Sequence, residues 1–455
     1  MATRLFGTNG IRGVVNDELT PEFVIKIAEA IGTYFKQGRI LLGYDGRISN
    51  IMMANAVTSG LVSTGCDVFN AGLGPTPCIQ YTVKNHKMDG GVMITASHNP
   101  PEYNGIKVLS SDGVEISRRQ EIRIENIFFK DAAKRVDWQG VGNSTVLPNA
   151  LDEYKEAIKK HVDVTAIEKN HYHAVVDAVN GVGGLVAPYL LRELGCQVTS
   201  INANIDGTFP NRPPEPRPEN LQDLITTVIA VGADFGVAFD GDADRTIFVD
   251  DKGEVQWGDR TFALIEKAFL QNNPGETIVT PISSSQVVKE VAEEYGGQLV
   301  WTRVGSTIVS HTMKKLKAKL GGEENGGVFY GPHQPVRDGA MTIALMLEIL
   351  ARTGRSLSQL LLELPRYHLE KDKIECPNRK KAQVLKMLIL SVKRLQPDTI
   401  DGVKLWFSDK SSILIRPSGT EPIYRFYAEA AEKERASMLV KEYKRKLQKM
   451  ISENA

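Results

Sequence analysis

The sequence predicts an α/β fold: three related α/β domains with mixed sheets, followed by a smaller C-terminal α+β domain. Three observations predict it: the length of the chain, a strand–loop–helix–glycine–strand pattern that occurs three times, and a change of pattern after Leu364-Pro365. A chain of 455 residues is too long for one ordinary domain, since domains average roughly 100–200 residues. Its 42% apolar and 24% charged residues are typical of globular proteins with substantial cores.

The first helix and the strand after it have recognisable boundaries. Thr20 and Pro21 are typical of an N-cap and a first-turn proline, and Gly38 is expected to end the helix. The short apolar run at 40–44 then predicts a buried strand.

Three stretches share one order of elements: LVSTGCDVFNAG (61–72), LLRELGCQVTSIN (190–202) and VAEEYGGQLVWTRVG (291–305). In each, a helix ends at a glycine, one residue follows and a short strand begins. Each is preceded by a strand, a loop with glycine or serine, and a helix. This is the βαβ unit, whose crossover is right-handed. Three copies predict three related α/β domains.

The remaining segments differ from this pattern. TFPNRPPEPRPEN (208–220) has too many prolines for a helix or a central strand and is expected to be an extended loop. After Leu364-Pro365, the strand-like runs KLWF and SSILIR flank a turn, and a helix closes the chain. That helix has one apolar stripe, which we interpret as core: Leu439, Tyr443, Leu447 and Met450.

Composition excludes several classes of protein. Lysine plus arginine equals aspartate plus glutamate at 55 each, so no overall field favours nucleic acid or an anionic membrane. The N-terminus MATRLFGTNG has no apolar core of a secretory signal. The four cysteines form no C-x-x-C motif, which argues against a disulfide framework and a zinc site. We expect a cytoplasmic protein.

A stiff loop with a serine follows one predicted strand, in ITASHNPPEYNG (94–105). Pro100 biases Asn99 toward an extended conformation, and α/β sheets bind their ligands at the ends of strands. Ser97 could therefore be a nucleophile or carry a covalent group. Its neighbours do not form G-x-S-x-G, so an esterase elbow does not fit.

Three aspartates follow another strand in FGVAFDGDADRTIFVDD (235–251): Asp240, Asp242 and Asp244. Carboxylates this close repel one another unless a cation neutralises them, which favours Mg²⁺. Calcium is disfavoured, because an EF-hand would need glycine and glutamate where the chain has Arg245 and Asp251. The same run also resembles the D-x-D-x-T loop of haloacid-dehalogenase-type phosphatases, with Asp242 as nucleophile.

Three further segments contain candidate ligand-binding residues. In IRPSGTEPIYRF (415–426), arginines flank a turn whose hydroxyls and amides could bind phosphate. In GGEENGG (321–327), carboxylates and an amide lie among glycines and suit sugar hydroxyls. In RLFGTNGIRG (4–13), Arg12 could face an anion.

Together these motifs resemble the α-D-phosphohexomutase superfamily. The resemblance runs in order through FGTNGIRG, TASHNPPEYNGIK, DGDADR, GEENGG and RPSGTEP, and so covers nearly the whole chain. GEENGG is most similar to the archaeal-type members, which act on glucose and mannose phosphates. The family plan implies four domains around a central cleft, with boundaries that we predict at 1–148, 149–250, 251–365 and 366–455.

The resemblance implies reversible interconversion of hexose 1-phosphate and hexose 6-phosphate. Phosphorylated Ser97 would donate its phosphoryl group to the free hydroxyl and form a hexose 1,6-bisphosphate. That intermediate would turn over within the site and return its other phosphate to Ser97. The implied cofactors are Mg²⁺ and glucose 1,6-bisphosphate as activator. The implied partners are sugar phosphates, without nucleic acid or membrane, and a homodimer is left open.

The resemblance also implies roles for individual residues. Mg²⁺ would be bound by Asp240, Asp242, Asp244 and an oxygen of phosphorylated Ser97. The other catalytic candidates are Lys107, Arg12, His98 and Arg245. The substrate-binding candidates are Arg303, Glu323, Asn325, Arg416, Ser418, Gly419, Thr420 and Arg425.

Two departures leave the general acid/base open. Many bacterial relatives end the sugar loop in Ser-Gly-His, whereas this chain has Asn325-Gly326-Gly327. Their K-x-G-H is R-V-G-S here, at 303–306. We assign the acid/base role to Lys107, with His333 as the weaker candidate.

Three alternative functions remain open at the level of sequence. A phosphoglucosamine mutase would share most of these motifs. A Mg²⁺-dependent sugar phosphatase would use Asp242 and leave Ser97 without a role. A catalytically silent protein that binds sugar phosphates would never label Ser97.

Overall fold

The computed structural model describes residues 4–7, 9–419 and 421–452. Its strands form four sheets, which with their helices we call units I to IV in chain order. The first three sheets are mixed and the fourth is antiparallel, which confirms the predicted α/β class with a smaller α+β domain. No helix in the described part of the chain is long and apolar enough to cross a membrane.

Unit I has the strand order β1-β5-β4-β2-β3-β6. Its strands are β1 (Ile11–Val14), β2 (Arg39–Tyr44), β3 (Asp67–Leu73), β4 (Gly90–Ile94), β5 (Tyr103–Ser110) and β6 (Ser144–Val146). Its helices are α1 (Pro21–Phe35), α2 (Asn50–Ser63), α3 (Thr76–Asn85) and α4 (Arg118–Phe129). Thr20 caps α1 as predicted, but α1 ends before Gly38, because Lys36 adopts the left-handed conformation.

Unit II has the strand order β11-β10-β9-β7-β8. Its strands are β7 (His173–Asp177), β8 (Gln197–Ile201), β9 (Phe235–Phe239), β10 (Thr246–Asp250) and β11 (Val255–Gln256). Its helices are α5 (Ala150–Lys159), α6 (Val164–Glu168), α7 (Ala187–Glu193) and α8 (Gln222–Val231). The boundary that we predicted after residue 250 falls inside the β10–β11 hairpin, because a two-residue strand leaves little pattern in the sequence.

Unit III has the strand order β13-β12-β14-β15-β16. Its strands are β12 (Thr277–Pro281), β13 (Gln298–Thr302), β14 (Leu320–Gly322), β15 (Val328–Tyr330) and β16 (Gln334–Arg337). Its helices are α9 (Gly258–Asn272), α10 (Gln286–Glu294), α11 (Ser306–Leu316), α12 (Gly339–Thr353) and α13 (Leu357–Leu361).

Unit IV has the strand order β17-β20-β19-β18. Its strands are β17 (His368–Glu375), β18 (Val403–Trp406), β19 (Ser412–Pro417) and β20 (Ile423–Ala430). Its helices are α14 (Asn378–Ser391) and α15 (Lys433–Ser452). The apolar stripe predicted for the last helix is buried in the core of this unit.

Units I to III repeat one topology. A central strand (β2, β7 or β12) pairs in parallel with the next strand along the chain and, on its other side, with β4, β9 or β14. The latter strand then pairs antiparallel with β5, β10 or β15. Each unit therefore presents the same hairpin connection at one end of its sheet. These three connections contain the serine motif, the aspartate motif and the GEENGG motif described above.

Candidate active site

Three equivalent hairpin connections meet in the structure. The serine loop (95–102) joins β4 to β5, the aspartate loop (240–245) joins β9 to β10, and the glutamate loop (323–327) joins β14 to β15. The Ser97 hydroxyl donates to Oδ2 of Asp240 at 2.7 Å. The backbone N–H of Thr246 donates to the Gly326 carbonyl at 3.1 Å, which joins the aspartate loop to the glutamate loop.

Ser97 is held in an unusual backbone conformation. Its φ is +52°, in the left-handed region that is uncommon for a residue with a Cβ. Its N–H donates to the Thr95 hydroxyl at 2.8 Å. Gly241 packs so closely that a Cβ there would lie 2.5 Å from the Ser97 carbonyl oxygen. The serine loop and the aspartate loop therefore fix each other's shape.

A buried arginine that the sequence analysis missed supports the serine loop from behind. Arg47 donates from Nη2 to the carbonyls of Ser97 (2.9 Å) and Asn99 (2.6 Å), and from Nη1 to those of Pro100 (2.6 Å) and Tyr103 (2.8 Å). Its Nε pairs with Asp45 at 3.2 Å. Burial raises the pKa of Asp45, although Arg47 opposes this.

The three aspartates of the aspartate loop are almost completely buried, and each offers a carboxylate oxygen within 4.8 Å of the others. Asp242 accepts from Lys107 Nζ (2.7 Å) and from the Thr76 hydroxyl (2.6 Å) at Oδ2. Asp244 accepts from Arg337 Nη2 at Oδ2 (2.5 Å). The other oxygens of these two aspartates, both Oδ1, are buried without a hydrogen-bond partner in the part of the chain described here.

The environment of the aspartate loop shifts the pKa values of Asp240 and Asp242 in opposite directions. Burial and the charges of Asp244 and Asp242 raise the pKa of Asp240 well above its usual value. Burial acts in the same direction on Asp242, but Lys107, the Thr76 hydroxyl and Arg337 together outweigh it and lower the pKa of Asp242. Burial likewise opposes the charged form of Lys107, yet Asp242 and Asp244 raise its pKa, so Lys107 is an ammonium at neutral pH.

The aspartate loop fits a divalent cation that prefers oxygen. Buried carboxylate oxygens without a hydrogen bond, as Oδ1 of Asp242 and of Asp244 are among the described residues, are costly unless a cation or proton satisfies them. An oxygen-only ligand set is the one that Mg²⁺ prefers. The residues that would hold the ion are those predicted, Asp240, Asp242 and Asp244, with Ser97 beside them.

A cavity of about 880 Å³ opens between the four units next to these loops. The predicted residues Arg12, His98 and Arg245 line it. Ser97 and Lys107 are buried and lie outside its lining. His98 follows Ser97 directly, and its Nδ1 lies 3.4 Å from the Ser97 hydroxyl.

Two arginines that line the cavity, Arg245 and Arg12, disfavour the protonated form of His98. Arg245, then burial and Arg12, lower the pKa of His98 far below its usual value, so its ring is neutral. Burial lowers the pKa of Arg12 to about 10, which still leaves it charged at neutral pH. Arg12 donates from Nη1 to Asn99 Oδ1 at 2.7 Å and so contacts the serine loop.

The glutamate loop contributes Glu323 and Asn325 to the cavity. Burial raises the pKa of Glu323. Its Oε2 lies 3.4 Å from Nη1 of Arg337, which lines the cavity and was also missed by the sequence analysis. The sequence around it, Gln-Pro-Val-Arg, contains no pattern that marks Arg337 as a functional residue.

Unit IV contributes the predicted phosphate-binding turn, between β19 and β20. Arg416, Ser418, Gly419 and Arg425 line the cavity, whereas Thr420 lies outside the described residues. Arg416 and Arg425 are direct cross-strand partners. Like charges in that position repel, here offset by Asp401 and Glu421, and a phosphate would satisfy both guanidinium groups.

Two other predicted residues lie elsewhere. Arg303 is exposed and does not line the cavity, where Val304, Gly305 and Ser306 take its place. His333 is 3% exposed and stacks on Tyr81, with ring centroids 5.1 Å apart, away from the cavity. The structure therefore does not bring His333 to the reacting groups.

Comparisons with known proteins match most of the chain. Family models for phosphoglucomutase/phosphomannomutase match residues 3–135 (alpha/beta/alpha domain I), 152–253 (domain II), 257–367 (domain III) and 373–446 (C-terminal domain).

Individual relatives are similar over nearly their full lengths. A phosphoglucomutase/phosphomannomutase of Thermococcus kodakarensis is 46% identical, over 95% of this chain and 96% of that protein. A phosphoglucosamine/phosphogalactosamine mutase of Sulfurisphaera tokodaii is 44% identical, over 97% and 98%. The crystal structure of a phosphoglucomutase/phosphomannomutase family protein from Burkholderia thailandensis has a TM-score of 0.88 at 29% identity, over 99% and 98%.

Proposed function

This chain belongs to the phosphoglucomutase/phosphomannomutase family, and from that premise we propose that it interconverts the 1- and 6-phosphates of glucose, of mannose, or of both. It is a phosphotransferase of the α-D-phosphohexomutase superfamily. The observation that carries the proposal is the 2.7 Å hydrogen bond from the Ser97 hydroxyl to Asp240, beside a cavity with a phosphate-binding turn on its far side.

The transfer exchanges one P–O bond for another. The bond from phosphorus to Ser97 Oγ breaks, and a bond from phosphorus to the sugar hydroxyl oxygen forms. The hydroxyl loses its proton, and Ser97 Oγ ends the step protonated and able to donate to Asp240, as it does in the structure. The left-handed backbone of Ser97, held by Arg47, keeps Oγ directed at the aspartate loop.

The cations around the serine loop stabilise the transferred charge. When bound at the aspartate loop, Mg²⁺ would neutralise charge that develops on the phosphoryl oxygens. Arg12 and Arg245 line the cavity next to the serine loop and can contact those oxygens from its open side. Lys107 holds Asp242 ionised from behind through its 2.7 Å hydrogen bond.

Lys107 remains our proposed acid/base group. Its ammonium is held protonated by Asp242 and Asp244, so it can donate a proton first and accept one only afterwards. His98 is the alternative within the cavity, since its neutral ring lies 3.4 Å from Ser97 Oγ.

The phosphate that does not react is proposed to bind at the unit IV turn. Arg416 and Arg425 hold it by paired guanidinium contacts, and Ser418, Gly419 and Thr420 add hydroxyl and amide donors.

The sugar between the two phosphates is proposed to bind through its hydroxyl groups to Glu323 and Asn325. The exposed Arg303 would have to move to reach the substrate. A 1,6-bisphosphate can reverse in such a site, because either phosphate suits the same turn. Glucose 1,6-bisphosphate would thus serve as activator.

The test is isomerisation of hexose 1-phosphates of glucose, mannose, glucosamine and N-acetylglucosamine, with Mg²⁺ and a trace of glucose 1,6-bisphosphate. We expect comparable kcat/KM for the glucose and mannose phosphates and slow turnover of the amino sugars. We also expect radiolabelled glucose 1,6-bisphosphate to label the protein at Ser97, and neither labelling nor isomerisation in Ser97→Ala.

Each alternative gives a different result in the same assay. A preference for glucosamine 1-phosphate would identify a phosphoglucosamine mutase, the function that the name of the 44% identical relative favours. Release of inorganic phosphate that survives Ser97→Ala would identify the phosphatase with Asp242 as nucleophile. Near wild-type kcat of Lys107→Ala across the pH range would remove the acid/base assignment.

A further inference from the structure

Arg337 is the last residue of β16, and it joins two loops from different units. Its guanidinium donates to Asp244 Oδ2 in the aspartate loop at 2.5 Å, and its other amino group lies 3.4 Å from Glu323 Oε2 in the glutamate loop. Arg337 is 4% exposed, and Asp244 and Glu323 are as deeply buried. A buried arginine between two buried carboxylates neutralises charges that would otherwise repel.

The contact with Asp244 selects which oxygen of that carboxylate is left available. Arg337 occupies Oδ2, and Oδ1 has no hydrogen-bond partner within the described ranges. On the adjoining aspartate, Asp242, Lys107 and Thr76 likewise occupy Oδ2 and leave Oδ1. Both carboxylates are therefore hydrogen-bonded through Oδ2 and present Oδ1, with Arg245 Nε 3.8 Å from Asp244 Oδ1.

Gly327 provides the space that Arg337 needs. A Cβ at position 327 would lie 2.4 Å from Arg337 Cδ and 2.8 Å from Cγ, well inside van der Waals contact. The φ of Gly327 is outside the left-handed region, so its backbone does not require glycine. The clash involves the middle of the arginine chain, which cannot move aside without displacing the guanidinium. The glycine at 327 is therefore explained by Arg337.

We propose that Arg337 is a positioning residue that couples cation binding at Asp244 to sugar binding at Glu323. The proposal rests on the proposed function, since it assumes a cation at the aspartate loop and a sugar phosphate in the cavity. Because one guanidinium holds both carboxylates, a ligand that fixes either one restrains Arg337 and thereby orders the other. Such coupling is reciprocal: each ligand strengthens the binding of the other by the same factor.

The test measures binding rather than turnover. In a Ser97→Ala background, which cannot carry the phosphoryl group, Mg²⁺ is titrated by calorimetry with and without saturating glucose 6-phosphate. We expect glucose 6-phosphate to tighten Mg²⁺ binding about fivefold or more, in the range usual for coupled sites. Adding Arg337→Met should bring that ratio close to one, and Arg337→Lys, which retains the charge, should restore part of it.

Gly327→Ala tests the same coupling without altering a charged group. The added Cβ should displace Arg337 and so lower the factor by which glucose 6-phosphate tightens Mg²⁺ binding, as Arg337→Met does. If Arg337→Met does not fold, Gly327→Ala still tests the proposal. Gly74→Ala is the matched control, since a Cβ there would meet only ordinary contacts of 3.4 Å or more. The proposal would be overturned if glucose 6-phosphate did not tighten Mg²⁺ binding in the Ser97→Ala variant. It would also be overturned if Arg337→Met or Gly327→Ala left that tightening unchanged. Failure of the proposed function would appear separately, as absent isomerisation.

Discussion

Arg47 is a single side chain that sets the conformation of the serine loop. Its two amino groups bind four carbonyl oxygens of residues 97–103, and its Nε binds Asp45. Only a planar guanidinium has enough donors in fixed directions to make all these contacts, whereas a lysine has three donors on one nitrogen. The loop geometry around Ser97 is therefore built by a residue fifty positions earlier.

We predict that Arg47→Lys lowers kcat by about 100-fold, because a displacement of the reacting serine by about 1 Å costs that much. Lost hydrogen bonds of the buried arginine should also destabilise the protein by about 3 kcal/mol. Arg39→Lys, at the exposed first residue of β2, the strand that precedes Arg47, is the control and should change neither value. Steady-state kinetics and thermal unfolding measure both. A normal kcat with lowered stability would limit Arg47 to a structural role.

Two single positions show why the sequence motifs did not identify the contacts around the glutamate loop. Position 327 holds a glycine, and the adjacent volume is occupied by Arg337. His333 seemed near enough in sequence to compensate, but its ring packs against Tyr81 and lies 3.5 Å from Asp338. The positions of Arg337 and His333 in the sequence did not reveal what their side chains contact.

At the scale of elements, the three hairpin connections explain why unrelated motifs meet. The repeat predicted from glycine and strand spacing concerned β2–β3, β7–β8 and β12–β13, all of them parallel pairs. The functional loops lie on a later connection of each repeat, from β4 to β5, from β9 to β10 and from β14 to β15, between antiparallel strands. Topologically equivalent loops thus hold a serine, an aspartate cluster and a glutamate in the three units.

The packing of α1 against α2 depends on a glycine in the interior of a helix. A Cβ on Gly60 would lie 2.6 Å from Ala28 Cβ and 2.7 Å from the Ile25 carbonyl oxygen. We predict that Gly60→Ala destabilises the protein by about 1–3 kcal/mol through overpacking, although alanine favours an isolated helix by about 1 kcal/mol. Ser59→Ala, exposed on the same helix, is the control. Thermal unfolding of both variants measures this, and a gain in stability for Gly60→Ala would contradict the close approach.

At the scale of the whole molecule, unit IV docks on unit III through polar contacts around the cavity. Lys404 is buried and donates to the carbonyls of Ile282 (2.8 Å) and Ser284 (3.1 Å). Glu429 accepts from the Gln286 N–H at 3.0 Å, and Lys371 pairs with Glu324 at 3.0 Å. These contacts fix unit IV against unit III, so that residues of the unit IV turn line the same cavity as His98 of the serine loop.

Lys404 gives this interface a dependence on pH. Burial lowers the pKa of Lys404 from 10.5 to about 8. The unfolded chain then binds the proton more tightly than the folded one, so charged Lys404 opposes folding below about pH 8. As the pH rises from about 8 to 10.5, this penalty disappears.

We therefore predict that the stability of the wild type relative to Lys404→Met increases over that pH range. Thermal unfolding of both proteins at each pH measures the difference, and the comparison cancels titrations that they share. A difference that stays flat or decreases would show that Lys404 titrates normally in the folded protein.

The sequence by itself determined the fold class, the three repeats, the core face of the last helix and the motifs that meet at the cavity. These features can be predicted from sequence because hydrophobic periodicity, turn residues and clustered charges are properties of short stretches of chain. The aspartate triplet follows from such local chemistry, whereas its contact with Ser97 was expected only from the family resemblance.

Only the tertiary structure decided which distant side chains complete the site. Arg47, Thr76 and Arg337 act through contacts with loops 50, 166 and 93 residues away in sequence. It also decided that Arg303 and His333 do not line the cavity, and that Lys107 is buried against Asp242. The direction of a side chain and its depth of burial depend on how whole sheets pack, and no short stretch of sequence encodes that.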